Sequence, residues 1–135
     1  MADDIRVAIE SDDDVVVARS KARELAAGLG FTGTDLTLLA TAISEIARNI
    51  TAYATRGEVC ITTVTRGGRT GVKVVASDNG PGIADVTLAL RDGYTSGRGL
   101  GLGLPGARRL MDEFDIDTEV GRGTKITMLK WGRDT

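Results

Sequence analysis

Histidine is absent from all 135 residues, and that gap alone removes several chemistries. Without an imidazole there is no Ser-His-Asp or Cys-His nucleophile pair and no histidine-bearing zinc site. Also missing is the histidine that opens the catalytic loop of eukaryotic-type protein kinases, and the chain can carry no phosphohistidine of its own. The single cysteine, Cys60, excludes an internal disulfide and a thiolate metal site; within a β-type run it reads as a small buried apolar residue. Aromatics make up only 4% of the residues. No apolar run reaches membrane-spanning length, and the acidic start Met1-Ala2-Asp3-Asp4 lacks the basic-then-apolar order of a signal peptide. A formal net charge of −2 argues against nucleic acid as a partner. A cytoplasmic protein is expected, with neither nucleic acid nor membrane as partner.

What is present fits one globular domain over residues 1–135, with 41% hydrophobic and 27% charged residues. Arg6 to Glu10 alternates as a strand, and Ser11 with Asp12, Asp13 and Asp14 supplies a cap and an acidic first turn for a helix from Val15 to Ala27. Thr34 is placed to cap a second helix, in which Leu36, Leu39, Ala40, Ile43, Ala47 and Ile50 recur at helical spacing up to Tyr53. Strands follow at Glu58 to Thr65 and Gly71 to Ser77 around the tight turn Arg66-Gly67-Gly68-Arg69. The stretch from Asp78 to Ser96 is turn-rich, with room for one short helix near Asp85 to Leu90. A third long helix is expected from Gly103 or Leu104 to Met111 or beyond, then strands at Ile116 to Val120 and Thr124 to Trp131. That order predicts an α/β (α+β) two-layer sandwich, a mixed β-sheet with helices on one face.

The richest local signal is Ser96-Gly97-Arg98-Gly99-Leu100-Gly101-Leu102-Gly103-Leu104-Pro105-Gly106, just before a helical pattern. Glycines at alternate positions expose backbone N–H groups, and a helix N-terminus behind them adds unsatisfied donors and partial positive charge. Such a stretch is either a surface loop or a phosphate cradle. It contains the pattern Gly-x-Gly-x-x-Gly, but no strand precedes it and no parallel βαβ unit surrounds it, so a dinucleotide fold is excluded. No Gly-x-x-x-x-Gly-Lys-Ser/Thr occurs either.

Two further groups carry chemistry. Glu45 and Asn49 lie four apart and share a helix face. Asparagine offers a hard amide oxygen to a cation such as Mg²⁺, and a carboxylate one turn away can accept a hydroxyl proton. Taken alone, the pair reads first as two solvated surface groups. In Asp78-Asn79-Gly80-Pro81-Gly82, a plain turn explains every residue but Asp78, an acceptor-only group at the end of a strand. It suits an exocyclic amine, and the glycines let a flat ring approach the backbone.

In this order the motifs resemble the ATP-binding fold shared by gyrase, heat-shock protein 90, histidine kinases and MutL, the GHKL superfamily with its Bergerat fold. Glu45 and Asn49 match its Glu-x-x-x-Asn helix; Asp78, Gly80 and Gly82 match Asp-x-Gly-x-Gly. Gly97, Gly99, Gly101 and Gly103 match its glycine-rich lid, and Gly123-Thr124 its late Gly-Thr. Within the superfamily, Ala42-Ile43-Ser44-Glu45-Ile46-Ala47-Arg48-Asn49-Ile50 and the run from Gly101 to Phe114 are similar to the small bacterial anti-sigma-type serine/threonine kinases, the stressosome switch kinases above all. The resemblance implies Mg·ATP as the nucleotide. Asp78 would bind the adenine amine with Thr124 supporting it through water, and Asn49 would ligate Mg²⁺. The phosphates would fall to Gly97, Gly99, Leu100, Gly101, Leu102 and Gly103, while Glu45 would be the base. Arg98 falls in the lid as either a phosphate contact or a solvated charge.

The same resemblance implies a substrate serine or threonine on a STAS-domain protein of the stressosome. The unphosphorylated STAS partner would sequester the kinase, and the released kinase would activate a metal-dependent phosphatase. Alternatives are an anti-sigma factor that sequesters a sigma factor directly, and a detached histidine-kinase-like catalytic domain.

Overall fold

The computed structural model describes residues 4–54, 56–83 and 103–132, which form a layer of helices on one side of a five-stranded sheet. In chain order the elements are β1 (Ile5–Ile9), α1 (Asp12–Gly28), α2 (Gly33–Tyr53), β2 (Gly57–Arg66), β3 (Arg69–Asp78), α3 (Gly103–Leu110), β4 (Glu113–Glu119) and β5 (Gly123–Trp131). The strands lie in the order β1-β2-β3-β5-β4. The two-layer sandwich agrees with expectation, but the sheet is not mixed: every pairing among the described residues is antiparallel. The connections explain this. A single crossover helix returns the chain to the starting end of a sheet and gives parallel strands. Here α1 and α2 run out and back, so β2 starts where β1 ended.

The hairpin between β2 and β3 turns on Gly67 and Gly68, whose φ of 60° and 82° suit the turn that matches the twist of its strands. Three rows of side chains run across the helix-facing side of the sheet. Ile5, Ile61, Val74, Met128 and Phe114 form one, and Val7, Val59, Ala76, Ile126 and Ile116 the next. Against them pack Val15, Ala18, Ala22 and Ala26 of α1 and Leu39, Ile43, Ile46 and Ile50 of α2, all buried. The third row, Ile9-Gly57-Asp78-Thr124-Thr118, stops being apolar after its first residue. Sheet register thus sets a polar strip at one end of an aliphatic core.

Local expectations are corrected at several points. Thr32, not Thr34, occupies the cap position of α2, and neither Thr32 nor Ser11 makes a side-chain cap bond. Asp14 Oδ2 instead accepts the Glu10 N–H at 2.9 Å, tying β1 to α1. The third helix is short, eight residues, and β4 begins at Glu113 rather than Ile116. Asp112 causes both: its N–H donates to Leu129 O at 2.9 Å and its Oδ2 accepts the Trp131 N–H at 2.7 Å, which commits the next residue to the sheet. Cys60 is half-buried, not buried, because β2 turns Val59 and Ile61 to the core and Cys60 to the opposite face. The short helix expected near Asp85 to Leu90 lies outside the described residues. No helix among the described residues is long and apolar enough to cross a membrane.

Candidate active site

The polar row and the loop after it come first. Asp78 ends β3, and its Oδ1 accepts the Gly80 N–H at 2.8 Å, closing a turn that leaves Oδ2 without that duty. A Cβ on Gly80 would sit 2.7 Å from Ala54 Cβ, so only glycine lets the loop lie against the end of α2. Gly121 N–H donates to Pro81 O at 2.9 Å, and Ile83 N–H donates to Thr118 Oγ1 at 2.9 Å; both clamp the loop to the β4–β5 hairpin. Gly123 has φ of 111°, and a Cβ there would run into the carbonyl oxygen of Asp78. Backbone strain and steric overlap therefore act together at this glycine. Gly123→Ala is expected to lower stability by about 3 kcal/mol or more, read as a shift in the urea-unfolding midpoint. An unchanged midpoint would contradict the close approach of β3 and β5 at Asp78.

The second part is built on α2. Leu39, Ile43, Ile46 and Ile50 take its inward face, which leaves Glu45 and Asn49 half-buried on the flank. Glu45 is doubly held: Oε1 accepts the Gly103 N–H at 3.0 Å and Oε2 accepts Arg48 Nη1 at 3.1 Å. The Glu45 side chain is 13% exposed and that of Arg48 51%, so the ion pair sits at the rim with its carboxylate inside. Gly103 opens α3 with φ of 59°, and Leu104, Pro105, Gly106 and Ala107 behind it are buried. A carboxylate thus rests on a helix N-terminus, where orphan N–H groups and the helix dipole favour negative charge.

Two clusters of expected site residues are therefore assembled: Asp78, Gly80, Gly82 and Thr124 at the end of the sheet, and Glu45 with Gly103 where α2 meets α3. Asn49 lies one turn beyond Glu45 on α2. Gly97, Arg98, Gly99, Leu100, Gly101 and Leu102 lie outside the described residues. Two participants escaped the sequence. Arg48 is legible only once Glu45 is known to need a partner three residues on. Thr118 carried a signal, being a polar residue in the inward register of Phe114 and Ile116. As for a metal, no group of three acidic, histidine or cysteine side chains gathers among the described residues. A lone hard oxygen from Asn49 fits Mg²⁺, which takes few protein ligands and completes its shell with phosphate and water.

Residues 9–130 match the histidine kinase-like ATPase domain family. The chain is 45% identical over 133 residues to serine/threonine-protein kinase RsbT of Bacillus subtilis (strain 168), covering 98% of this chain and 100% of that one. It is 27% identical over 120 residues to the anti-sigma F factor of Thermoanaerobacter sp. (strain X514), covering 84% of this chain and 82% of that one. Among solved structures, the RsbU and RsbW domains of Rv1364c from Mycobacterium tuberculosis superpose with a TM-score of 0.69 at 19% identity, over 99% of this chain and 34% of that one. That likeness is one of fold.

Proposed function

This chain belongs to the histidine kinase-like ATPase domain family and is an ATP-using protein serine/threonine kinase, and we propose that its substrate is a serine or threonine of a STAS-domain antagonist in a partner-switching pathway. The likeness to RsbT supports that substrate class, and the observation that carries the phosphotransfer chemistry is the Glu45 carboxylate held at the N-terminus of α3 by the Gly103 N–H. It sets a proton acceptor beside the donors that suit phosphate oxygens.

In this account Asp78 accepts the adenine amine through Oδ2, since Oδ1 is committed to Gly80 N–H, and Thr124 supports the base through water. Asn49 offers its amide oxygen to Mg²⁺, which when bound neutralises phosphate charge. Gly103 N–H, with the preceding lid glycines, holds phosphate oxygens. Glu45 must give up the Gly103 bond before Oε1 can take the proton of a substrate hydroxyl, while Arg48 keeps Oε2 oriented. Phosphoryl transfer needs little covalent help, so positioning and charge do most of the work.

The likeness to RsbT supports the rest of the switch. An unphosphorylated STAS protein of a stressosome holds the kinase, phosphorylation frees it, and the freed kinase activates a metal-dependent phosphatase. Size-exclusion chromatography with a STAS partner tests this. The complex is expected to form without nucleotide and to separate after Mg·ATP is added; a complex that persists with fully phosphorylated partner would contradict the switch. The anti-sigma F factor relatives favour a second function, direct binding of a sigma factor. Co-elution of the kinase with a sigma factor in the same experiment would select it.

A further inference from the structure

Thr118 is the hub of the polar strip, giving one hydrogen bond and receiving two. Its hydroxyl has one proton to give and two lone pairs to accept with. Among the described residues, three partners surround Oγ1: the Ile83 N–H at 2.9 Å, the Gly123 carbonyl oxygen at 3.0 Å and Thr124 Oγ1 at 2.9 Å. Ile83 N–H can only donate and the Gly123 carbonyl can only accept. The Thr118 proton is therefore spent on Gly123, and Thr124, 6% exposed, must donate its own proton to Thr118.

The consequence falls on the neighbouring strand. Thr124 is paired in register with Thr118 on one side and with Asp78 on the other. With its proton turned toward Thr118, Thr124 has only lone pairs left for anything beyond. Asp78, when ionised, also has only lone pairs, and one oxygen is already on Gly80 N–H. The strip Asp78-Thr124 is then acceptor-only along its length.

We propose that Thr118 is a specificity-determining residue: by taking the Thr124 proton it fixes Thr124 as an acceptor and so selects a 6-amino purine against a 6-oxo purine. This rests on the assignment of the base to Asp78 and Thr124 made above. An exocyclic amine, or a water it orients, finds matching lone pairs there. A 6-oxo group meets lone pair against lone pair. Thr118 touches no base itself and acts through Thr124 as a positioning residue.

Calorimetric titration with Mg·ATP and with Mg·ITP, which carries a 6-oxo base, tests the inference on the full chain. The wild type is expected to prefer ATP by about 100-fold or more, a discrimination typical of polar groups left facing the wrong partner. Thr118→Val conserves volume but accepts no proton, so the Thr124 hydroxyl can turn and donate outward. The preference is expected to shrink about tenfold, one ordinary hydrogen bond, and Thr118→Ser to restore it. Thr118→Ala is the companion if the valine variant does not fold. Loss of ATP and ITP affinity in equal measure would overturn the inference and leave Thr118 a clamp for Ile83; so would a wild type that binds both nucleotides equally. Asp78→Asn separates the two levels. If it leaves ATP affinity intact, the base assignment itself falls; if it abolishes binding while the Thr118 variants keep the wild-type preference, only the role of Thr118 falls.

Discussion

Glu45→Ala is expected to lower the rate of phosphotransfer by about 10²- to 10⁴-fold, the usual scale for loss of a general base, without weakening ATP binding. The separation of the two effects follows from the contacts of the side chain. Glu45 holds Gly103 N–H and Arg48 Nη1, and neither contact belongs to the Asp78 strip. Its removal frees a helix N-terminal donor, which can only help a phosphate oxygen settle there. Alanine also suits a helix interior, so α2 loses little. Glu45→Gln sharpens the test, because glutamine still accepts from Gly103 N–H but is not a base. Both variants should bind Mg·ATP at least as well as wild type in a calorimeter and fail in single-turnover labelling of a STAS substrate. Undiminished labelling by either would remove Glu45 from the role of base.

Asp78→Asn is expected to cut ATP affinity by more than about 100-fold, the loss of a charge-assisted hydrogen bond made worse by a misplaced donor. The fold should survive. The asparagine Oδ1 can still accept Gly80 N–H, and asparagine favours that turn as much as aspartate does. What changes is the other end of the carboxamide, where an NH₂ group faces the amine that a carboxylate oxygen would have accepted. Wild-type affinity in the variant, measured by the same titration, would contradict the adenine assignment.

Much of the fold was legible in the chain. The apolar spacing of Leu39, Ile43 and Ile50 fixed the inward face of α2, and with it the flank on which Glu45 and Asn49 stand. Asp78 read as surplus to a plain turn, yet its Oδ1 closes that turn on the Gly80 N–H, so the turn uses one of its oxygens and leaves the other. Sheet direction was not legible, because the alternation of a strand is the same whether its neighbour runs parallel or antiparallel; two helices between β1 and β2 decided it. The start of β4 was hidden because a single side chain, Asp112, captures Trp131 N–H from across the sheet. Contacts between distant segments, Glu45 with Gly103 and Ile83 with Thr118, leave no local trace, since neither Gly103 nor Thr118 has any spacing relation to its partner. Cys60 shows the opposite error: small and apolar, it reads as core, yet strand parity turns it to the other face.

The most direct test of the account is the chemistry of the transferred phosphate. Purified protein incubated with Mg·ATP and a STAS-domain partner should place an acid-stable phosphate on one serine or threonine of that partner, located by mass spectrometry and absent with Glu45→Gln. No transfer to any STAS partner, or a phosphate that acid removes as it does from histidine, would contradict it.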